Sequence, residues 1–249
     1  MDGPRDYFGE EVAALYDAML ADQSTPAAVE PVVDFLFALA ADGPALEFAV
    51  GTGRIALPLA ARGVQVHGID LSAAMIARLH RKPGGESFPT TIGDIATTRV
   101  PGEFALVYLL CNTIMNLTSQ AAQVACFKNA AAHLAPGGAF VVNVVVPELR
   151  RLPPGETRVV FAHTQDHVGI DEYDVANQGS ISHHFRRIDG EWRYTLAPFR
   201  YVWPAELDLM AELVGFTFSE RWEGWEREPF TSESRRHLSV WTKSPPDLN

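Results

Sequence analysis

Between residues 43 and 147, short apolar segments alternate with helical ones, and this alternation restricts the fold more than any other feature of the chain. ALEFAV (45–50), VQVHGID (64–70), FPTTIGD (88–94), FALVYLL (104–110) and AFVVNVVVP (139–147) read as strands. Between them lie GRIALPLAARG, LSAAMIARLHRK and SQAAQVACFKNAAAHLAPGG, which read as helices. The strands are apolar almost throughout, so both their faces should be buried, and helical crossovers join them in a parallel sheet. Two further helices precede the first strand. EEVAALYDAMLAD (10–22) carries Val12, Leu15, Tyr16 and Met19 as an apolar stripe, and PAAVEPVVDFLFALA follows Ser24 and Thr25 as N-cap candidates. After Pro147 the rhythm turns strand-like, with an Asp189-Gly190 hairpin signal and one helix, PAELDLMAELVG.

Composition narrows the function. With 47% apolar residues, 249 residues are enough for one substantial core. A formal charge of −11 disfavours nucleic acid as partner, because phosphates call for basic surface. Cys111 and Cys126 sit in apolar surroundings without a CxxC partner, so they read as buried thiols in a reducing compartment. The acidic start MDGPRDYFGEE lacks a signal-peptide core, and no run is long enough for a membrane span. The expectation is a soluble cytoplasmic protein with no membrane partner.

The first strand runs into Gly51-Thr52-Gly53, where a backbone free of side chains can approach a ligand. Gly51, Gly53 and Ala56 fit the dinucleotide pattern, with Asp70 about 20 residues on as a ribose acid. A sulfonium nucleoside fits the same spacing. Three features separate the two. Glu47 is an acid inside a buried strand, costly unless a cationic group partners it. Asp94 adds a carboxylate at the same sheet edge, an acceptor for an adenine amino group. The fifth strand is preceded by HLAPGG.

Together, ALEFAVGTGR, GIDLSAAMI, GDI and LAPGGAFVV resemble the successive motifs of class I S-adenosylmethionine-dependent methyltransferases, over residues 45–146. The resemblance implies an α/β, Rossmann-like, doubly wound and mostly parallel sheet, with N-terminal lid helices and an antiparallel C-terminal strand addition. It implies a single domain over 1–249, made of a helical lid (1–42), a cofactor-binding core (43–147) and an antiparallel addition that completes the sheet (148–249). It also implies S-adenosylmethionine as cofactor. Ala49, Gly51 and Gly53 would pass under its methionine moiety and Glu47 would orient it. Asp70 would bind the ribose hydroxyls, with Leu71 beside the adenine. Asp94 and Ile95 would meet the adenine edge, and Leu110 and Cys111 would line the cofactor. Ala49 departs from the glycine that many members carry there.

The acceptor is read by elimination. The segment after the fourth strand, Cys111-Asn112-Thr113-Ile114-Met115, lacks the [DN]PP[YF] motif of nucleic-acid amino-methyltransferases. It also lacks the acids of catechol-type enzymes, so no metal is expected. A small-molecule acceptor remains, methylated on N or O by in-line displacement, and the layout resembles the natural-product and aminosugar N-methyltransferase branch. Asn116 stands where the sugar enzymes carry a histidine; it can orient an acceptor but not take its proton. Tyr16 is either a core residue or a catalytic one reaching the methionine end, and Tyr7 is a weaker candidate. His183 and His184 should point to opposite faces of a strand; His67, His133 and a solvent-facing His80 read as structural. Trp192, Tyr194, Phe199, Tyr201 and Trp203 either roof an acceptor pocket or form a buried sheet face, the second being favoured. A monomer and a homodimer fit equally. A nicotinamide-dependent oxidoreductase and a non-catalytic nucleoside-binding protein are the rival functions.

Overall fold

The computed structural model describes residues 9–244. Helix α1 (Glu10–Met19) and a 3-10 turn (Ala21–Ser24) lead into α2 (Pro26–Ala40), with Thr25 at the N-cap position and Pro26 at the first turn. The core follows as β1 (Ala45–Phe48), α3 (Ala56–Ala61), β2 (Val66–Asp70), α4 (Ala73–Leu79), β3 (Thr90–Ile92), β4 (Phe104–Leu109), α5 (Gln120–His133) and β5 (Leu134–Val145). Ser72 and Ser119 cap α4 and α5 through their hydroxyls, which accept from the N–H groups of Met75 and Ala122.

Then come β6 (Arg158–His163), β7 (His167–Asp174), β8 (Gly179–Ile188), β9 (Glu191–Arg200), α6 (Pro204–Glu212), β10 (Phe216–Trp222) and β11 (Arg236–Lys243). One sheet has the order β10-β11-β5-β4-β1-β2-β3, parallel from β5 through β3, with β11 antiparallel to both its neighbours. The chain leaves β1 toward β2 on one side and returns to β4 on the other. That reversal opens a crevice at the carboxyl ends of β1 and β4, where ligands of such sheets bind. Alternate residues of β1 go to opposite cores: Ala45 packs with Leu36, Leu59 and Val141, and Leu46 and Phe48 with Phe127, Phe140 and Trp241.

The strands β6 to β9 form a separate antiparallel sheet, and none of their apolar side chains is fully buried. Arg200, at the end of β9, bolts this sheet to the body. Its guanidinium donates to Gln123 of α5, Gln178 and Glu206 of α6, the last at 2.7 Å. The hairpin at Asp189-Gly190 has left-handed φ values of 52° and 85°, as its sequence signal requires.

Four expectations need correction. The stripe on α1 is not a buried face: Leu15 and Met19 are about half exposed and the buried residue is Ala13, because the helix covers a loop edge and not a core. Trp192 and Tyr194 are exposed, since β6 to β9 have no second layer behind them. Cys111 is exposed at the tip of a left-handed turn, while Cys126 is buried. His80 is half-buried, its Nε2 near Phe88 O and Thr90 Oγ1 at 3.2 Å each. Strand β11 was not foreseen.

Candidate active site

The segments at the carboxyl ends of β1, β2, β3 and β4 converge on the crevice. After β1 the chain turns through Ala49, Gly51 and Gly53, all left-handed, with φ of 57°, 56° and 77°. At Gly51 a Cβ would touch only Met75 Cε, at 3.5 Å, so the backbone conformation demands glycine there and crowding does not. At Gly53 a Cβ would also press on Leu79 and Leu57 at 2.9 and 3.0 Å. Ala49 takes the same conformation with a Cβ, which costs about 1–2 kcal/mol.

Asp70 ends β2 and organises this loop. Its Oδ2 accepts the Gly51 N–H at 2.7 Å, and its Oδ1 accepts the Ser72 N–H at 2.8 Å. A carboxylate can accept about four hydrogen bonds, so these two fix its plane and ligand hydroxyls can join them. Leu71, next in the chain, is half-buried.

Glu47 lies inside β1, opposite Tyr108 of β4, and only 5% of it is exposed. The Tyr108 hydroxyl donates to Glu47 Oε2 at 3.0 Å. Burial pushes the Glu47 carboxyl up to about 8, against the pull of the Tyr108 bond and the Arg54 charge, and the nearby Asp70 adds to the rise. A cationic group brought beside it would reverse that shift.

Helix α1 is latched over the glycine loop. Thr52 Oγ1 donates to Asp17 Oδ1 at 2.6 Å, and Lys82 Nζ donates to the same carboxylate at 2.9 Å. Arg54 reaches from the loop to the Gln23 carbonyl at 3.0 Å and to Cys111 Sγ. The latch holds Tyr16 over the crevice: its hydroxyl is pushed up to about 12 by burial first, then by Cys111, with Asp70 and Glu47 adding and Arg54 opposing.

After β3, Asp94 closes an Asx turn, its Oδ1 accepting the Ala96 N–H at 2.8 Å. Ile95 turns its side chain into the core and its carbonyl accepts from Asn129 at 2.7 Å, so only its backbone can face a ligand. Leu110 likewise packs inward. Beyond it, Cys111 and Asn112 are consecutive left-handed residues, and Asn112 Oδ1 accepts the Val145 N–H at 2.8 Å, tying β4 to β5. Asn116 ends the 3-10 turn Thr113–Asn116, half-buried.

The structure thus gathers Glu47, Gly51, Gly53, Asp70, Cys111 and Tyr16 at one crevice. His184 pairs with His167 at 3.0 Å and His183 with Tyr194 at 2.8 Å, each on its own sheet face and neither bonded to crevice residues. Tyr7 lies outside the described residues. Tyr108, Asp17, Thr52 and Arg54 were missed. A hydroxyl in the otherwise apolar FALVYLL and the acid directly after Tyr16 were the signals available. Among the described residues, no group of three or more His, Cys, Asp or Glu side chains is placed to hold a metal ion. No helix among them is long and apolar enough to cross a membrane.

This crevice, with an acid in β1, a glycine turn and an acid closing β2, defines a nucleoside-cofactor enzyme of the Rossmann-like class. The comparisons say which. A methyltransferase-domain family model matches residues 45–138. The CcbJ methyltransferase from Streptomyces caelestis is 34% identical, with 96% of this chain and 98% of that one covered at a TM-score of 0.84. The chain belongs to the S-adenosylmethionine-dependent methyltransferases. A cypemycin N-terminal methyltransferase from Streptomyces sp is 25% identical over 198 residues, 78% of this chain and 81% of the relative. The SAM-bound CalS10 amino pentose methyltransferase from Micromonospora echinaspora shares the fold, at 21% identity and a TM-score of 0.69, with 92% of this chain and 97% of that one covered. Full-length similarity to a methyltransferase also decides against the oxidoreductase reading.

Proposed function

We propose that this enzyme methylates an amine nitrogen of a small natural-product molecule, without a metal and without a protein base. Bound S-adenosylmethionine supplies an already activated methyl group, so the chain's task is alignment and exclusion of water. The observation that carries the reading is the convergence of Glu47, Asp70 and the latched Tyr16 on one crevice. Glu47 is a buried carboxyl in want of a cation and pairs with the ammonium of the methionine end. Asp70 takes the ribose hydroxyls, Leu71 flanks the adenine, and Asp94 with the Ile95 backbone meets its amino edge. Ala49, Gly51 and Gly53 pass beneath the methionine moiety, and the backbone at Leu110 and Cys111 closes the far wall.

Tyr16 serves as an orienting hydroxyl. With its acidity weakened to about 12, it stays a phenol at neutral pH and cannot be a general base. Asn116 orients the acceptor from the turn after β4. The acceptor amine must then arrive unprotonated, losing its proton to water. Amine acceptors are supported by the relatives, one named an N-terminal methyltransferase and the other an amino pentose methyltransferase. The two free cysteines fit a cytoplasmic setting, and the charge of −11 fits an acceptor other than nucleic acid.

The test is product mass after incubation with S-adenosylmethionine and a panel of amine-bearing and hydroxyl-only acceptors. A mass increase of one methyl on amine acceptors alone supports the reading. Transfer to hydroxyl-only acceptors, or to RNA, contradicts it.

A further inference from the structure

The sheet edge that opens the crevice continues past β4. Next in order come β5 and β11, and there Val145 is paired with Arg236. Asn112 ties this end to the crevice, its Oδ1 accepting the Val145 N–H at 2.8 Å, and the Val146 N–H donates to the Arg235 carbonyl at 2.8 Å. Just beyond lies a cavity of about 330 Å³, a volume at the lower end of those that hold small ligands. Glu148, Arg150 and Arg151 line it from the segment after β5, and Glu233, Ser234 and Arg235 from the segment before β11. Three guanidiniums and two carboxylates leave it a net charge of +1, on a chain of −11.

Glu148 stands between two of the guanidiniums. Arg151 Nη1 donates to its Oε2 at 2.6 Å, and Arg235 Nε lies 3.9 Å from its Oε1, beyond hydrogen-bond range. Arg150 Nη1 reaches Glu233 Oε1 at 3.4 Å. A guanidinium has five N–H donors, so one bond to an acid leaves most of them for a ligand. All three arginine side chains are half or more exposed, so these pairs resist an incoming anion only weakly. The wall behind them is firmer. Ser234 is 2% exposed, and its Oγ accepts the Thr231 N–H at 2.9 Å and donates to Glu223 Oε2 at 2.7 Å.

We propose that this cavity binds an acid group, carboxylate or phosphate, of the acceptor; that the acceptor reacts through an amine rests on the function proposed above. A guanidinium fork meets either group with two parallel N–H···O bonds, which fix its plane as well as its place. Strands ~4.8 Å apart put the end of β5 and β11 roughly 10–15 Å from the glycine turn after β1, so the acid lies about that far from the reacting nitrogen. A polyanion is disfavoured, because the acidic surface elsewhere repels it and a cavity of this size takes one group. The site thereby selects among amines: the acid-bearing ones are held at both ends and the others at one.

The test is an NMR titration of the full chain, saturated with S-adenosylhomocysteine, at constant ionic strength set with sodium chloride. Inorganic phosphate is the probe in one arm and acetate in the other. Saturable shifts of the Nε–H signals of Arg150, Arg151 and Arg235 are expected with at least one of them; phosphate alone marks a phosphate site, and acetate marks a carboxylate site. Arg150→Gln with Arg235→Gln should abolish the shifts and leave the affinity for S-adenosylhomocysteine as it was. No saturable shift with either anion, or shifts that survive the double substitution, overturns the proposal. Should the pair not fold, Arg235→Gln alone decides, by weakening anion binding several-fold or leaving it unchanged. In turnover, kcat/KM for an acid-bearing amine should fall about tenfold more in the double variant than for the same amine with its acid amidated. An equal fall for both overturns the assignment to the acceptor. Failure of the amine reading looks different: no amine is methylated, while the anion shifts remain and the acid site stands.

Discussion

The Tyr108 hydroxyl donates a 3.0 Å hydrogen bond to Glu47 Oε2 across the β1–β4 junction, the two residues being directly opposed in the parallel register. It is the contact that stabilises the charged form of a carboxyl otherwise driven neutral by burial. Tyr108→Phe should therefore keep Glu47 protonated to higher pH. S-adenosylhomocysteine should bind about tenfold more weakly at neutral pH, from a loss of roughly 1.5 kcal/mol at a charge-assisted bond, and recover as pH rises. Unchanged affinity with an unchanged pH profile would show that the pair is structural only.

Glu47 also predicts proton release. Below about 8 the carboxyl of the ligand-free protein holds its proton, and a bound ammonium favours the ionised form. Titration with S-adenosylhomocysteine at pH 7 should release about one proton, read as a binding enthalpy that varies with buffer ionisation enthalpy. Affinity should climb with pH up to about 8 and then level off as far as this group is concerned. In Glu47→Gln the Glu47 proton should vanish from the balance. The same raised value has a stability consequence: the folded state binds this proton more tightly than the unfolded chain, so the ligand-free protein loses stability as pH rises from the ordinary carboxylate range toward 8.

The latch gives a kinetic prediction. Burial alone would raise the Asp17 carboxyl, but the bonds from Thr52 and Lys82 prevail and hold it below its ordinary value. Asp17→Ala removes both and frees α1. Dissociation of S-adenosylhomocysteine should quicken several-fold in stopped-flow measurements, with little change in melting temperature, because the pair is half exposed. An unchanged off-rate would mean that α1 does not cover the ligand.

Ala49 is held at φ 57° with a Cβ. Ala49→Gly relieves about 1–2 kcal/mol of strain and gives back about 0.4–1 kcal/mol of unfolded-chain entropy. Melting temperature should stay level or rise slightly, with cofactor affinity preserved. A clear loss of stability would show that the methyl group packs usefully against the core.

The parallel core was legible because its signals are local. Continuous apolar runs and the glycine turn each act within a few residues, and they set where Glu47, Asp70 and Asp94 emerge. What was illegible is long-range. Tyr108 meets Glu47 only through the register of β1 with β4, 61 residues apart. The Asp17–Thr52 latch joins a helix to a loop 35 residues on, so the acid beside Tyr16 could be noticed in the sequence but its partner could not. The aromatic tail misled for a related reason: alternation at Trp192 and Tyr194 shows that they share a face, not whether anything covers it. Ile95 and Leu110 fall at expected positions yet turn their side chains into the core, since sequence position alone does not orient a side chain at a strand end.

The most direct measurement is calorimetric titration of the wild type and Asp70→Ala with S-adenosylhomocysteine, with NAD as control. The account predicts micromolar binding by the wild type, none by a still-folded Asp70→Ala, and no binding of NAD by either. Normal binding by Asp70→Ala would contradict it, because the carboxylate that orders the Gly51 loop would then have no part in holding the nucleoside.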